Sequence, residues 1–116
     1  MRDFKRLVVW QRAYRLALSL HREADSFGRH RFGVGDQLTR AATSISANVA
    51  EGAGRDSVKE FKRFLTIAMG SAAELEHHLM LARDLQLVSP EAARDYLNET
   101  TEIQRMLYGL RTRVRF

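Results

Sequence analysis

Apolar side chains recur at steps of three and four residues through four separate stretches of the chain. The clearest runs Phe61, Phe64, Leu65, Ala68, Ala72, Leu75, Leu79 and Ala82, which puts all eight on one helix face, since neighbours on such a face lie three or four positions apart. Tyr96, Thr100, Ile103, Leu107, Leu110 and Val114 repeat as regularly towards the end of the chain. The opening stretch carries Trp10, Ala13, Tyr14, Ala17 and Ala24, with Leu16 and Leu20 widening the stripe; the one after it carries Leu38, Ala41, Ala42, Ile45 and Val49.

Between these stretches lie residues that stop and start helices. Gly28, within Phe27–Gly33, can take the left-handed position after a helix, and Gly52-Ala53-Gly54 closes the second stretch. Ser57-Val58-Lys59-Glu60 has the form of a capping box, in which the serine hydroxyl and the Glu60 carboxylate each satisfy a free amide. Ser89-Pro90-Glu91 supplies an N-cap, a proline at the first helical position and an acid in the first turn. The spacing predicts helices over 5–26, 34–52, 57–86 and 90–113. Four helices of similar length joined by short loops predict one all-α domain over 1–116, an antiparallel up-down bundle.

Composition narrows the chemistry. With 45% apolar and 28% charged residues in 116, the chain has the make-up of one ordinary globular domain. It has no cysteine, which excludes disulfides, thiol nucleophiles and cysteine-ligated zinc, and one proline, which suits long helices. Neither a signal peptide nor a stretch apolar enough to span a membrane is visible, and the expected location is cytoplasmic. The net charge of +5 is unevenly spread: +6 over 1–63, −5 over 64–104 and +4 over 105–116. Basic ends around an acidic centre can bind polyanions or dock copies of the chain on one another.

Motifs for catalysis are missing. A di-iron bundle needs two Glu-x-x-His motifs, and the chain has one, Glu74–His77, off the apolar stripe; no metal and no cofactor are expected. The Gly33 and Gly52 regions border helices, unlike a dinucleotide fingerprint, which follows a strand. The candidate anion-binding residues are Arg55, Lys59, Lys62 and Arg63 around the third helix start, and Arg111, Arg113 and Arg115 at the chain end. Tyr108 and Phe116 stand near these arginines and can stack on bases, but no helix-turn-helix spacing supports sequence readout. Asn48 lies on or beside the core stripe; it either bonds the helix backbone and sets register, or forms the polar floor of a pocket with Trp10 and Glu51. Val8, Val9, Leu16, Leu20, Ile67, Met69, Met80 and Leu81 fall outside the main stripes and point to a surface covered by a partner.

Several stretches in this order carry a resemblance: Leu7-Val8-Val9-Trp10-Gln11-Arg12-Ala13, Ser44-Ile45-Ser46-Ala47-Asn48-Val49-Ala50-Glu51-Gly52, Lys59-Glu60-Phe61-Lys62-Arg63-Phe64-Leu65, and Ala68 to Glu76. Over nearly its whole length the chain resembles the four-helix bundle family named for proteins encoded in intervening sequences of bacterial 23S ribosomal RNA genes. It departs from the family pattern at Ser46, where proline is usual. The resemblance implies a small cytosolic homopentamer without catalysis. The chain is also similar to accessory proteins of diversity-generating retroelements, which implies RNA or DNA, or a protein such as a reverse transcriptase, as partner. The charges then serve either nucleic-acid backbones or subunit docking.

Overall fold

The computed structural model describes residues 2–115. Four helices carry the fold: α1 (Val8–Ala24), α2 (Val34–Ala53), α3 (Val58–Asp84) and α4 (Pro90–Arg113), with 3-10 turns at Phe4–Arg6 and Asp25–Phe32. No strand occurs among the described residues. The body measures 46 × 21 × 20 Å, one helix length by two helix diameters, and the core runs along its axis.

All eight stripe residues of α3 are buried, as are the five of α2. On α4, Thr100, Ile103, Leu107 and Val114 are buried, with Tyr96 and Leu110 half-buried at its edges. Thr100 is tolerated in the core because its hydroxyl donates to the Tyr96 carbonyl one turn back.

The stripe of α1 is turned from its expected phase. Val9, Ala13, Leu16, Ala17, Leu20 and Ala24 are buried, while Tyr14 is 47% exposed. Val9, Leu16 and Leu20 therefore belong to this chain's own core, and of the apolar α1 residues expected outside the stripe only Val8 is exposed. The aromatic residues form a separate stack along the helix flank, Phe4 edge-on to Trp10 and Trp10 over Tyr14, each 4.9 Å apart.

Several helix ends also differ from expectation. The first helix is interrupted at Leu7, which is extended, so that Asp3 caps a 3-10 turn and α1 begins only at Val8. Gly28 has a positive φ of 59° but a ψ of −131°, so it kinks a run of 3-10 turns and does not close α1. Ser57 caps α3 by accepting the Glu60 amide at 3.0 Å, while the Glu60 carboxylate turns to Arg63, leaving half a capping box. α3 ends at Asp84, two residues early, because Gln86 adopts φ 61°. Its amide donates to the Arg83 carbonyl, and Leu87 donates to Ala82, both at 2.9 Å, a Schellman closure without glycine.

α2 and α3 approach closely where Gly52 faces Phe61 and Phe64. A Cβ on Gly52 would stand 2.7 Å from the Phe64 Cβ and 3.0 Å from Phe61 Cδ1. A Cβ on Gly109 of α4 would meet only the mobile end of Arg113, at 2.9 Å. Gly52→Ala should therefore destabilise the fold by about 1–3 kcal/mol through overpacking. Gly109→Ala should be neutral or stabilising by up to about 1 kcal/mol, because alanine suits a helix interior better. Thermal melts of the two variants check this contrast.

Candidate nucleic-acid interface

The seven basic residues lie on two segments distant in sequence, 55–63 and 111–115, and contacts link these segments to one another and to the chain start. The Arg2 amide donates to the Ala53 carbonyl, which ties the chain start to the end of α2. Arg2 also places its guanidinium 4.6 Å from the ring of Phe61 on α3. Arg111 of α4 donates to the Thr66 hydroxyl of α3 at 3.1 Å. Arg55, Lys59, Lys62 and Arg63 lie around the link from α2 to α3, and Arg111, Arg113 and Arg115 close α4, which Arg111 joins to α3. Arg2 joins the end of α2 and α3, and Arg6 and Arg105 stand with Glu102 and Arg113 around one groove.

Their states differ. Arg55 is held by Glu51 at 2.6 Å, one helical turn away, and Arg63 by both oxygens of Glu60, at 2.9 and 3.2 Å. The two guanidiniums approach one ring, 5.2 and 4.5 Å from Phe64. The Arg63 hydrogen bond, reinforced by the charges of Arg63, Arg55 and Lys59, keeps Glu60 below the usual carboxylate range. Lys59 is exposed and Lys62 half-buried, and neither has a carboxylate within 4.0 Å among the described residues. Arg115 donates to the Thr112 carbonyl, and Tyr108 is 58% exposed with the Arg111 guanidinium 5.6 Å from its ring. Phe116, the other expected stacking residue, lies outside the described residues.

None of Trp10, Asn48 and Glu51 borders the surface grooves lined by Val8, Leu16, Thr43 or Phe32. Trp10 sits in the aromatic stack, and Glu51 is engaged by Arg55. Asn48 is half-buried and donates to the Ser44 carbonyl at 2.8 Å and to its hydroxyl at 3.0 Å. Ser44 in turn bonds Ser71 at 2.8 Å, so a short polar chain crosses from α2 to α3.

Three further polar features stand apart from these residues. Arg12 of α1 grips Glu99 of α4 through two bonds, 2.9 and 2.6 Å, which raise its already high pKa, and Tyr96 donates to Glu23 at 2.9 Å. Burial first, then that bond, pushes the Tyr96 phenol up to about 12. His78 is half-buried with Nδ1 unpartnered, and burial, followed by the charge of neighbouring His77, lowers its pKa. Glu74 and His77 are exposed, and no group of three or more metal-ligating side chains occurs among the described residues. No helix among them is long and apolar enough to cross a membrane.

The fold is that of an all-α four-helix domain. The sequence profile of the 23S rRNA-intervening sequence proteins matches residues 5–109, and the chain belongs to that family. Among solved structures it is similar to a protein of unknown function from the S23 ribosomal protein family of Bacteroides thetaiotaomicron VPI-5482. The TM-score is 0.85 at 26% identity, covering 90% of this chain and 96% of that one. No curated protein matches.

Two outcomes follow from the polar groups. Asn48→Ala should lower stability by about 1 kcal/mol, the net worth of a hydrogen bond, read as a fall in melting temperature. Since His78 has a lowered folded-state pKa, its neutral form is favoured by folding. Its contribution is fully present above the unfolded value of 6.5 and is lost as pH falls below it. Melting temperatures between pH 7.5 and 5.5 should decline less steeply in His78→Gln than in the native chain.

Proposed function

We propose that the protein is a non-enzymatic cytoplasmic bundle whose copies assemble as a ring, a homopentamer by likeness to its family, and bind RNA or DNA backbones through the basic end. The observation that carries this reading is the meeting of the two basic segments, 55–63 and 111–115, with one another and with the chain start, and of Arg6 and Arg105 with Arg113 around one groove. The up-and-down course of the helices accounts for that meeting and is supported by paired contacts. Ser44 meets Ser71 and Gly52 faces Phe61, while Arg111 reaches Thr66 and Gln104 reaches Glu76. Counterion release at each neutralised phosphate would supply the affinity, and repetition around a ring would multiply it without base readout.

A second reading has its own observation. Arg55 and Arg63 already carry carboxylate partners, and Ile67, Met80, Leu81 and Leu85 are exposed on α3. This suits a scaffold for a protein partner, such as a reverse transcriptase, with the charges used in subunit docking.

Titration of labelled single-stranded RNA at several salt concentrations separates the two. The expected plot of log affinity against log salt falls linearly, and Lys59→Gln/Lys62→Gln should flatten the slope by about 1–1.5, at roughly 0.7 per lost phosphate contact. Binding absent at low salt, or indifferent to salt, refutes the nucleic-acid reading. A monomer mass by light scattering refutes the ring.

A further inference from the structure

The α1–α4 seam is the most open of the four helix contacts around the bundle, and its mouth lies at the basic end. There a groove of about 500 Å3 separates the start of α1 from the last three turns of α4. That size falls within the range of small-ligand sites. Its floor is apolar: Leu7, Val8, Val9, Met106 and Leu110. Val9 is buried in the core, Leu7, Met106 and Leu110 are half-buried, and Val8 is 56% exposed among the described residues. Arg6, Arg105 and Arg113 stand around this floor with a single carboxylate, Glu102, which Arg105 approaches to 3.9 Å. Arg6 and Arg113 have no carboxylate within 4.0 Å among the described residues.

Gly109 helps place one of these cations. A side chain there would collide with Arg113 Nη1, so the missing Cβ lets the guanidinium fold back across α4 beside the groove. A glycine inside a long helix lowers its stability, and here it leaves a saddle filled by a cation.

We propose that this groove binds a small single-chain amphipathic anion, a carboxylate carried on a medium-length alkyl chain. The head group is held by Arg6 and Arg113, whose planar forks match a carboxylate, and the chain lies on Val8, Met106 and Leu110. The occupant is chosen by complementarity: uncompensated cations demand an anion, and the apolar floor demands an aliphatic body, which a phosphodiester backbone lacks. The inference is argued separately from nucleic-acid binding, although Arg6, Arg105 and Arg113 belong to both surfaces.

Calorimetric titration with decanoate, octanoate and decyltrimethylammonium, each below its micelle concentration, tests it. Decanoate should bind and raise the melting temperature. Octanoate should bind more weakly, by up to about fourfold for each methylene removed. The cation of equal chain length should bind at least tenfold more weakly than decanoate. Val8→Glu, at an exposed position that leaves the core intact, and Arg6→Gln/Arg113→Gln should each weaken decanoate binding about tenfold. Gly109→Ala, which displaces the Arg113 guanidinium, should weaken it without lowering the melting temperature of the free protein. Equal binding of the cation, or unchanged decanoate affinity in Val8→Glu, overturns the proposal. So does a change in particle mass on Val8→Glu, since a second copy would then be what covers the groove.

Discussion

The approach of α2 to α3 at Gly52 is the constraint on which the basic end depends. Without a side chain there, the end of α2 lies directly against Phe61 and Phe64, the first large residues of α3. Buried apolar residues continue the core along both helices, Ala41, Ala42 and Ile45 on one and Ala68 and Ala72 on the other. The short link from Gly54 to Ser57 then has little freedom, and Arg55 and Arg63 both reach the Phe64 ring. Two like charges approach one aromatic ring because each has a carboxylate of its own, Glu51 and Glu60. Moving the helices apart at Gly52 would disturb the core and this charge arrangement together.

The other two helices attach to this pair differently. α4 lies along α3 with apolar residues, while its seam with α1 is closed largely by polar bridges, Arg12 to Glu99 and Tyr96 to Glu23. Partly exposed ion pairs contribute little to stability, so these bridges do more to fix the lateral position of α1 than to hold the fold together. The groove near Met106 exists because the bridges begin only at Arg12, leaving the first turn of α1 without a partner on α4.

Most of this architecture was legible in the sequence, and its failures are instructive. The stripes of α2 and α3 could be read directly because their apolar residues occupy a single arc. α1 is apolar over more of its circumference, and aromatic rings weighted the count towards Trp10 and Tyr14, whereas the core takes the more compact Val9, Leu16 and Leu20. The end of α3 was misplaced because its left-handed closing residue is Gln86, which carries no local signal of the kind glycine gives. Glu60 could satisfy either the α3 amides or Arg63, and sequence alone does not say which acceptor role prevails. The seven basic residues were visible as charge runs, but their convergence is tertiary. Arg2 joins them only because the chain start is tied to Ala53, and Arg6 and Arg105 through the α1–α4 groove.

Placement along the helices separates the basic residues further. Arg111 and Arg113 lie in the last turn of α4, and Arg55 follows the end of α2, where the carbonyl ends of the helices favour cations. Stability alone is reason enough for those three. Lys59 occupies the first turn of α3, where the free amides already carry partial positive charge, with Lys62 in the turn after it. Cations there work against the helix dipole, and neither ends of helices nor ion pairs compensate Lys59. Local stability therefore explains the α2 and α4 arginines but not the lysines. An external anion, approaching the amides of α3 and these cations together, would relieve the conflict. The case for a polyanion thus rests most heavily on the residues that fold stability would have selected against.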